Sequence, residues 1–362
     1  MDKEFAPISS PMDNRKLPSS KRKSKLLGVV GAFAIAAGLL SGCSTSSQSN
    51  GQLEKVTDLT IYSGRSEEYI APFLAQFEKE SGIKLNIRYG NSPELAAQIL
   101  EEGENSPADL FISQDAGSLG AVKQAGLFKE LPPNVANEIP NQFIEPMRHW
   151  VGITGRVRVF AYSPSKLKKL PKEITDLSDP IYKGQLGIAP SNASFQAFLT
   201  ALINLKGESF AEKWLRDLVA NDVKIYPKNS SIVEAIDRGE ISVGLVNHYY
   251  LWEVAESLGR EVNAKIEFFQ AGDIGNLINV SGAGVFKSSK KQSAAEDLIN
   301  FLTSKPIQDK YVSEIHEYSL LANSTPPAGL PRLSDIGAPS VDLNSLKNIQ
   351  AAQDLLTKVG LL

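Results

Sequence analysis

Two kinds of hydrophobic period alternate along residues 56–258 of the chain. Short segments rich in β-branched and aromatic residues predict strands at Leu59–Ser63, Ile83–Tyr89, Asp109–Ser113, Val157–Tyr162, Gln185–Ala189 and Ile241–Val246. Segments with apolar residues three or four positions apart predict helices at Glu67–Ser81, Pro93–Glu102, a segment ending at Gly126, Phe195–Asn204, Ser209–Val219, Ile232–Arg238 and Tyr249–Leu258. Strands that alternate with helices in this way predict a parallel sheet in an α/β architecture.

The length of the chain predicts more than one globular unit. At 362 residues it exceeds the size at which a single hydrophobic core usually stops growing, so we expect two α/β lobes. Proline-containing connections at Leu131–Pro133 and Ser163–Pro164 are the candidate crossings between them. Two lobes joined in this way form a hinged clamp whose closure buries a ligand.

The first 43 residues have the pattern of an export signal. A segment rich in Lys and Arg precedes the uncharged apolar run Leu26–Leu40. As a helix this run is about 22 Å long, short of a membrane core of roughly 30 Å. It ends in Leu-Ser-Gly-Cys43, which resembles the lipobox of bacterial lipoproteins. We therefore predict a signal peptide at 1–42, a lipid on Cys43 and a polar tether at 43–55, the alternative being that Cys43 only lies near an ordinary cleavage site.

Charge and cysteine content exclude several classes of protein. The chain has 38 Lys and Arg residues and 41 Asp and Glu residues. Residues 1–42 contain seven of the basic and three of the acidic residues, so the remainder has 31 basic and 38 acidic residues and a net charge of −7. An acidic body argues against nucleic acid as a partner. With Cys43 as the single cysteine, the sequence excludes an intrachain disulfide and a cysteine-cluster metal site. A secreted hydrolase is an alternative without support from a G-x-S-x-G or H-E-x-x-H motif.

The sharpest chemical feature is Asn247-His248-Tyr249-Tyr250, at a predicted strand-to-helix junction. Ligand sites in open α/β sheets lie beyond such strand ends. Two neighbouring phenols suit a hard, highly charged cation, because the charge of the metal favours loss of the phenol proton. A pair of tyrosines also occurs in ordinary aromatic packing, and that alternative stays open at this point.

Three further segments carry groups that bind anions. Arg65 lies in the turn Tyr62–Ser66, two arginines lie in Gly155–Arg158, and Ser191–Ser194 precedes a predicted helix. Arginine side chains and helix N-termini hold carboxylate, carbonate or phosphate groups. The alternative is that these residues form surface salt bridges and a simple helix cap.

Collinear stretches of the chain resemble the ferric-ion-binding proteins of bacterial iron ABC importers. They include LTIYSGRSEE, FEKESGIKLNIRYGNSPELAAQILEEGENSPADLFISQDAG, WVGITGRVRVFAYS, LINLKGESFAEKWLRDL, YPKNSSIVEAIDRGEISVGLVNHYY and SGAGVFKSS. The resemblance implies a two-lobed periplasmic-binding-protein clamp of class II type with the ligand cleft between the lobes. It implies that lobe 1 comprises 56–155 with 280–330 and lobe 2 comprises 156–279 with 331–362.

The resemblance also implies a function. A non-enzymatic, monomeric lipoprotein in the periplasm or on the outer face of the membrane would bind Fe³⁺ with carbonate or another small anion. It would deliver the ion to the ABC permease of an iron importer, and would touch the membrane only through its lipid. The alternative ligand is an oxyanion or a phosphonate-like organic molecule held by Arg65, Arg156, Asn192 and Ser194.

The site residues carried over by the resemblance begin with Tyr249 and Tyr250 as metal ligands. The anion-binding or cleft positions are Arg65, Ser66, Gln114, Asp115, Arg156, Asn192, Ala193, Ser194, Asn229 and Asn247, with Tyr62 and His248 as further candidates. The chain departs from the family where many members have a His ligand and this chain has Ser66. It departs again where many members have a Glu ligand and this chain has Gln114 followed by Asp115. At the position of the third tyrosine of some members, this chain has Ser194 or Phe195. A bound anion or water would then complete the metal shell.

Overall fold

The computed structural model describes residues 56–362. The predicted signal peptide, the lipidation of Cys43 and the tether to residue 55 lie outside the described residues. Within the described part, no helix combines the length and the apolar content that crossing a membrane requires.

Strands and helices alternate through most of the described chain. The strands are β1 (Asp58–Ser63), β2 (Lys84–Tyr89), β3 (Leu110–Ser113), β4 (Val151–Tyr162), β5 (Leu186–Ile188), β6 (Lys224–Ile225), β7 (Val243–Asn247), β8 (Lys265–Glu267), β9 (Ile278–Val285) and β10 (Tyr318–Ser319). The helices are α1 (Glu67–Ser81), α2 (Ser92–Glu102), α3 (Ala116–Gln124), α4 (Ala193–Lys206), α5 (Glu208–Ala220), α6 (Asn229–Asp237), α7 (Tyr250–Leu258), α8 (Gln292–Thr303), α9 (Lys305–Glu314) and α10 (Ile349–Lys358). Each predicted strand and helix is present, and α1 has the predicted bounds while the other elements differ at one or both ends.

The largest difference in an element's bounds is at β4, which begins at Val151 instead of Val157. Its sequence VGITGRVRVFAY mixes glycines, a threonine and two arginines with apolar residues, so its first half lacks a strand-like apolar pattern. Nearly every side chain of β4 is nevertheless buried, because the strand lies in the middle of the sheet and is covered on both faces.

The strand order is β2-β1-β3-β9-β4-β7-β5-β6, and β10 and β8 also pair with β4. Parallel pairing, as predicted, joins β1 to β2 and β3, and β5 to β6 and β7. The prediction is wrong for the centre of the sheet, where β9 runs antiparallel to β3 and β4, and β4 runs antiparallel to β7. The chain returns to the centre after long excursions, so local sequence gave no signal for the direction of these strands.

Strand β4 joins two halves of the sheet. We call β1, β2, β3, β9, β10 and residues 151–157 of β4 the first half, and β5–β8 with residues 158–162 the second half. The chain passes between them inside β4 and passes back just before β9, where the Leu277 carbonyl accepts a hydrogen bond from the Arg158 amide at 3.0 Å. The predicted crossings at Leu131–Pro133 and Ser163–Pro164 are therefore wrong, because one continuous strand makes the first passage.

The C-terminal segment contacts two helices, α3, which follows strand β3 of the first half, and α4, which follows strand β5 of the second half. Residues Leu343–Lys347 form a 3₁₀ turn that packs against α3, and α10 packs against α4. Gly117 and Gly120 permit this close approach to α3. A Cβ at residue 117 would lie 2.7 Å from the Leu346 carbonyl oxygen, and a Cβ at residue 120 would lie 2.7 Å from the Lys347 Cβ.

Candidate functional site

The tyrosine pair lies where β7 ends and α7 begins. Tyr249 has helical backbone angles and Tyr250 is the first residue of α7, so the two side chains project to the same side instead of alternating as on a strand. Their rings stack with centroids 4.3 Å apart and planes inclined by 30°. The Tyr249 and Tyr250 side chains are 2% and 6% exposed.

The pair also connects the two halves of the sheet. Gln114, which follows β3 of the first half, donates a hydrogen bond from Nε2 to the Tyr249 phenol oxygen at 3.3 Å. Burial, with Tyr249 and Glu253 adding to it, holds the pKa of Tyr250 well above its ordinary value. The Tyr250 phenol is therefore held protonated, in a stacked and buried pair that lies between the halves.

A buried guanidinium accompanies the phenols. Arg158, on β4, is 2% exposed and lies over the rings of Phe195 and Phe198, at 5.7 and 5.6 Å from their centroids. None of its side-chain nitrogens has a hydrogen-bond partner. Burial lowers the pKa of Arg158 to about 10, although Tyr250 and Tyr249 act to raise it. A buried cation without an anion is costly, and ionised phenols would supply the missing negative charge.

Arg65 and Arg156 are held by a carboxylate that the sequence analysis missed. Glu317, which is 0% exposed, places Oε1 at 2.8 Å from Arg65 Nη1 and 3.8 Å from Arg156 Nη1, and it also accepts a hydrogen bond from Thr154. Burial alone would raise the pKa of Glu317, but Arg65 and Arg156 hold it below its ordinary value. Glu317 lies far along the chain in no recognisable motif, so only the fold reveals this ion cluster.

The structure brings five further anion-binding candidates together. Asn192 precedes α4 and accepts hydrogen bonds from the Ser194 amide at 3.0 Å and from Asn229 Nδ2 at 3.1 Å. Asn247 Nδ2 donates to Ser194 Oγ at 3.0 Å. Ala193 is the first residue of α4 and Asn229 the first of α6, so two helix N-termini meet beside the tyrosines.

Three other candidates lie apart from the phenols or are otherwise engaged. Asp115 caps α3, accepting the Ser118 amide at 2.8 Å, and Ser66 is exposed at the start of α1. The Tyr62 phenol donates to Glu102 at 3.0 Å, with Arg88 over its ring. These contacts give the three side chains local structural roles.

His248 is buried with both ring nitrogens in use. Its Nδ1 accepts the Val157 amide at 3.2 Å, and its Nε2 lies 2.8 Å from the His316 carbonyl oxygen, which fixes the neutral tautomer with the proton on Nε2. Burial lowers the pKa of His248 to about 4. No ring nitrogen is left for a metal, so His248 supports the junction instead of binding a ligand.

The sequence analysis also missed Tyr69 and Glu253. The edge of the Tyr69 ring points at Tyr249, with centroids 6.1 Å apart and planes at 73°. Glu253 follows Tyr250 by one turn of α7, and burial raises its pKa to about 7. Among residues 56–362, no group of three or more His, Cys, Asp and Glu side chains could hold a metal.

Comparison with known proteins agrees with this architecture. Residues 105–332 match the family model of bacterial extracellular solute-binding proteins. The chain is 32% identical to the Fe(3+)-binding periplasmic protein of Serratia marcescens, across 94% of this chain and 100% of the relative. It is 33% identical to the major ferric iron-binding protein of Neisseria meningitidis, across 84% of this chain and 94% of the relative.

Solved structures confirm the two-lobed α/β fold. Iron-bound HitA from Pseudomonas aeruginosa superposes with a TM-score of 0.80 at 33% identity, covering 84% of this chain and 99% of that one. Apo ferric ion-binding protein A from Pasteurella haemolytica superposes with a TM-score of 0.77 at 28% identity, covering 84% and 98%. This chain therefore belongs to the bacterial extracellular solute-binding proteins, which bind solutes for transport and are not enzymes.

Proposed function

We propose that this protein is the binding component of an iron ABC importer, carrying Fe³⁺ with a small anion and handing it to the permease. The observation that carries the proposal is the stacked, buried pair Tyr249 and Tyr250, with the unpartnered Arg158 beside it. Relatives named for ferric iron binding support it, and so does a neighbour from Trichodesmium solved with iron and citrate, with a TM-score of 0.70 at 26% identity.

The chemistry of the pair suits a trivalent ion. Phenolate oxygen is a hard donor, and the charge of Fe³⁺ drives the phenol proton to solvent as the oxygen–iron bond forms. Two phenolates cancel two of the three metal charges, while Arg158 adds one positive charge. An anion at the N-termini of α4 and α6, where Asn192, Ser194 and Asn229 meet, would offset the remainder.

The proposal places the ligand between two lobes that close on it. Lobe 1 would comprise 56–155 with 280–330, and lobe 2 would comprise 156–279 with 331–362. The change of pairing partner within β4, from β9 to β7, supports a boundary near residue 157. Export as a lipoprotein anchored through Cys43, on the periplasmic or outer membrane face, completes the proposal.

Metal analysis of protein purified without chelators tests the function. We expect about one iron per chain and a reddish colour, because phenolate-to-iron charge transfer absorbs visible light. Added ferric citrate should raise the melting temperature of stripped protein, since a ligand at 100 times its Kd stabilises the native state by about 2.7 kcal/mol. A colourless protein that binds phosphonate in calorimetry would contradict the proposal and support the oxyanion alternative.

Replacing Arg158 should lower the affinity for ferric iron without lowering the stability of the fold. We expect Arg158→Met to fold at least as stably as the wild type, because it replaces an unpaired buried charge with an apolar side chain between Phe195 and Phe198. Its ferric affinity should fall by about 10- to 100-fold, the usual effect of losing an outer-sphere partner of a metal ligand. Competition with citrate measures the affinity, and Arg216→Met, at an exposed guanidinium on α5, is the control. Equal affinity in both variants would show that Arg158 does not stabilise the phenolates.

A further inference from the structure

A cavity of about 560 Å³ opens beside the tyrosine pair, between α1, α6, α7 and the end of α9. Its ionisable lining is acidic apart from one lysine. The charged side chains are Glu68, Glu234, Glu253, Glu256, Glu314 and Lys228. This lining favours a cation in the cavity.

Tyr69 reaches this cavity from the first half of the fold. It lies in the first turn of α1, and its amide donates to the Ser66 carbonyl at 3.1 Å, so its side chain is one turn further along the helix than Ser66. The ring meets Tyr249 edge-on across the gap between the halves. Its side chain and that of Glu253 both line the cavity.

Glu253 reaches the same point from the second half. It stands three residues after Tyr250, a spacing that puts both side chains on one face of α7. Its Oε2 is buried and has no hydrogen-bond partner. A carboxylate oxygen that is buried without a donor is costly in an empty protein, and a bound cation would satisfy it.

We propose that Tyr69 and Glu253 are two further ligands of the carried ion, so that three phenolates and one carboxylate bind it directly. This inference rests on the proposed iron-binding function and names donors that the sequence motifs do not. Two of the four, Tyr250 and Glu253, lie in the first turn of α7, Tyr249 immediately precedes it, and Tyr69 comes from α1 of the other half.

The number of donors supports the assignment. A hard cation in an octahedral shell takes about six oxygen atoms. Tyr249 and Tyr250 supply two of these, and an anion bound through two oxygens at the N-termini of α4 and α6 supplies two more. Tyr69 and Glu253 fill the remaining positions. Because Tyr69 belongs to the first half, binding would also hold the two halves closed.

The test compares wild-type protein with Tyr69→Phe and Glu253→Gln after loading with ferric citrate. Tyr69→Phe removes the phenol oxygen, and Glu253→Gln replaces the charged carboxylate by a neutral amide, which is a weaker ligand for a hard cation. Both changes keep the shape of the side chain. We expect ferric affinity to fall by about 10- to 100-fold or more in both variants. In Tyr69→Phe, the visible absorbance per bound iron should drop by about one third, since one of three phenolates is lost. Glu256→Gln makes the same change of charge at an exposed residue of the same cavity and should bind like the wild type.

The possible outcomes distinguish a failure of the two additional ligands from a failure of the proposed iron-binding function. If wild-type protein binds iron with a visible band, and neither variant changes the affinity or the absorbance per iron, the inference is wrong and the proposed function stands. If wild-type protein binds no iron, both are overturned. Circular dichroism melting of each variant confirms that it folds, and either variant alone suffices for the comparison with Glu256→Gln.

Discussion

The double variant Tyr249→Phe with Tyr250→Phe is expected to lose ferric-ion binding and its visible colour while keeping its fold. Each substitution removes one oxygen and leaves the ring, so the stacked pair at 4.3 Å and the packing around it should survive. The metal would lose two phenolate donors that stand side by side. We expect affinity to fall by at least about 100-fold, because two lost charge-assisted contacts of about 1.5–3 kcal/mol each amount to about 3–6 kcal/mol.

A matched double variant controls for the loss of tyrosine itself. Tyr89 lies on the edge strand β2 and Tyr226 lies between β6 and α6, both partly exposed. Tyr89→Phe with Tyr226→Phe should therefore load with iron normally. Unchanged ferric affinity in the Tyr249 and Tyr250 variant, measured by competition with citrate, would refute the assignment of the metal site.

Glu317→Gln is expected to destabilise the protein by about 3–5 kcal/mol, the usual effect of breaking a buried ion pair. The substitution keeps the size of the side chain but leaves the buried guanidiniums of Arg65 and Arg156 without their carboxylate. Thermal or urea denaturation of the ligand-free protein measures the loss. Glu314→Gln, an exposed position one turn away, should change stability little.

The effect of Glu317 should depend on pH in one direction. Its pKa is lower in the folded protein than the ordinary value of 4.5, so the stabilisation is complete above that value. It is lost as the pH falls through the lower folded pKa. The stability difference between wild type and Glu317→Gln should therefore shrink in acid below about pH 4.5. A difference that stays constant down to pH 2 would show that the carboxylate charge does not hold the cluster.

The distribution of buried charges supports the proposal that an anion binds at this site. Arg65 and Arg156 share a single carboxylate, and Arg158 has none among the described residues. The interior beside the tyrosines therefore has an excess of positive charge when the phenols are protonated. If the proposed function is right, phenolates and a bound anion would remove that excess when the metal binds.

Much of the secondary structure was predictable because it depends on the spacing of apolar residues that are close together in the chain. The apolar face of α1, with Ile70, Phe73, Leu74 and Phe77 buried, follows from spacing alone, and Gly82 ends the helix with a left-handed backbone. Strand β9 was not predicted, since its small and polar residues INVSGAGV show no apolar alternation and only its central place in the sheet buries them.

The sequence by itself determined the α/β class, the outer parallel strands and the position of the tyrosine pair at a strand-to-helix junction. These features depend on residues close together in the chain, where hydrophobic period and turn chemistry act directly. Only the tertiary structure decided that β4 belongs to both halves of the sheet and that Glu317 holds Arg65 and Arg156. It also decided that Tyr69 meets Tyr249 and lines the same cavity as Glu253. Those contacts join residues far apart in sequence, and the path of the chain through the whole fold sets their distances.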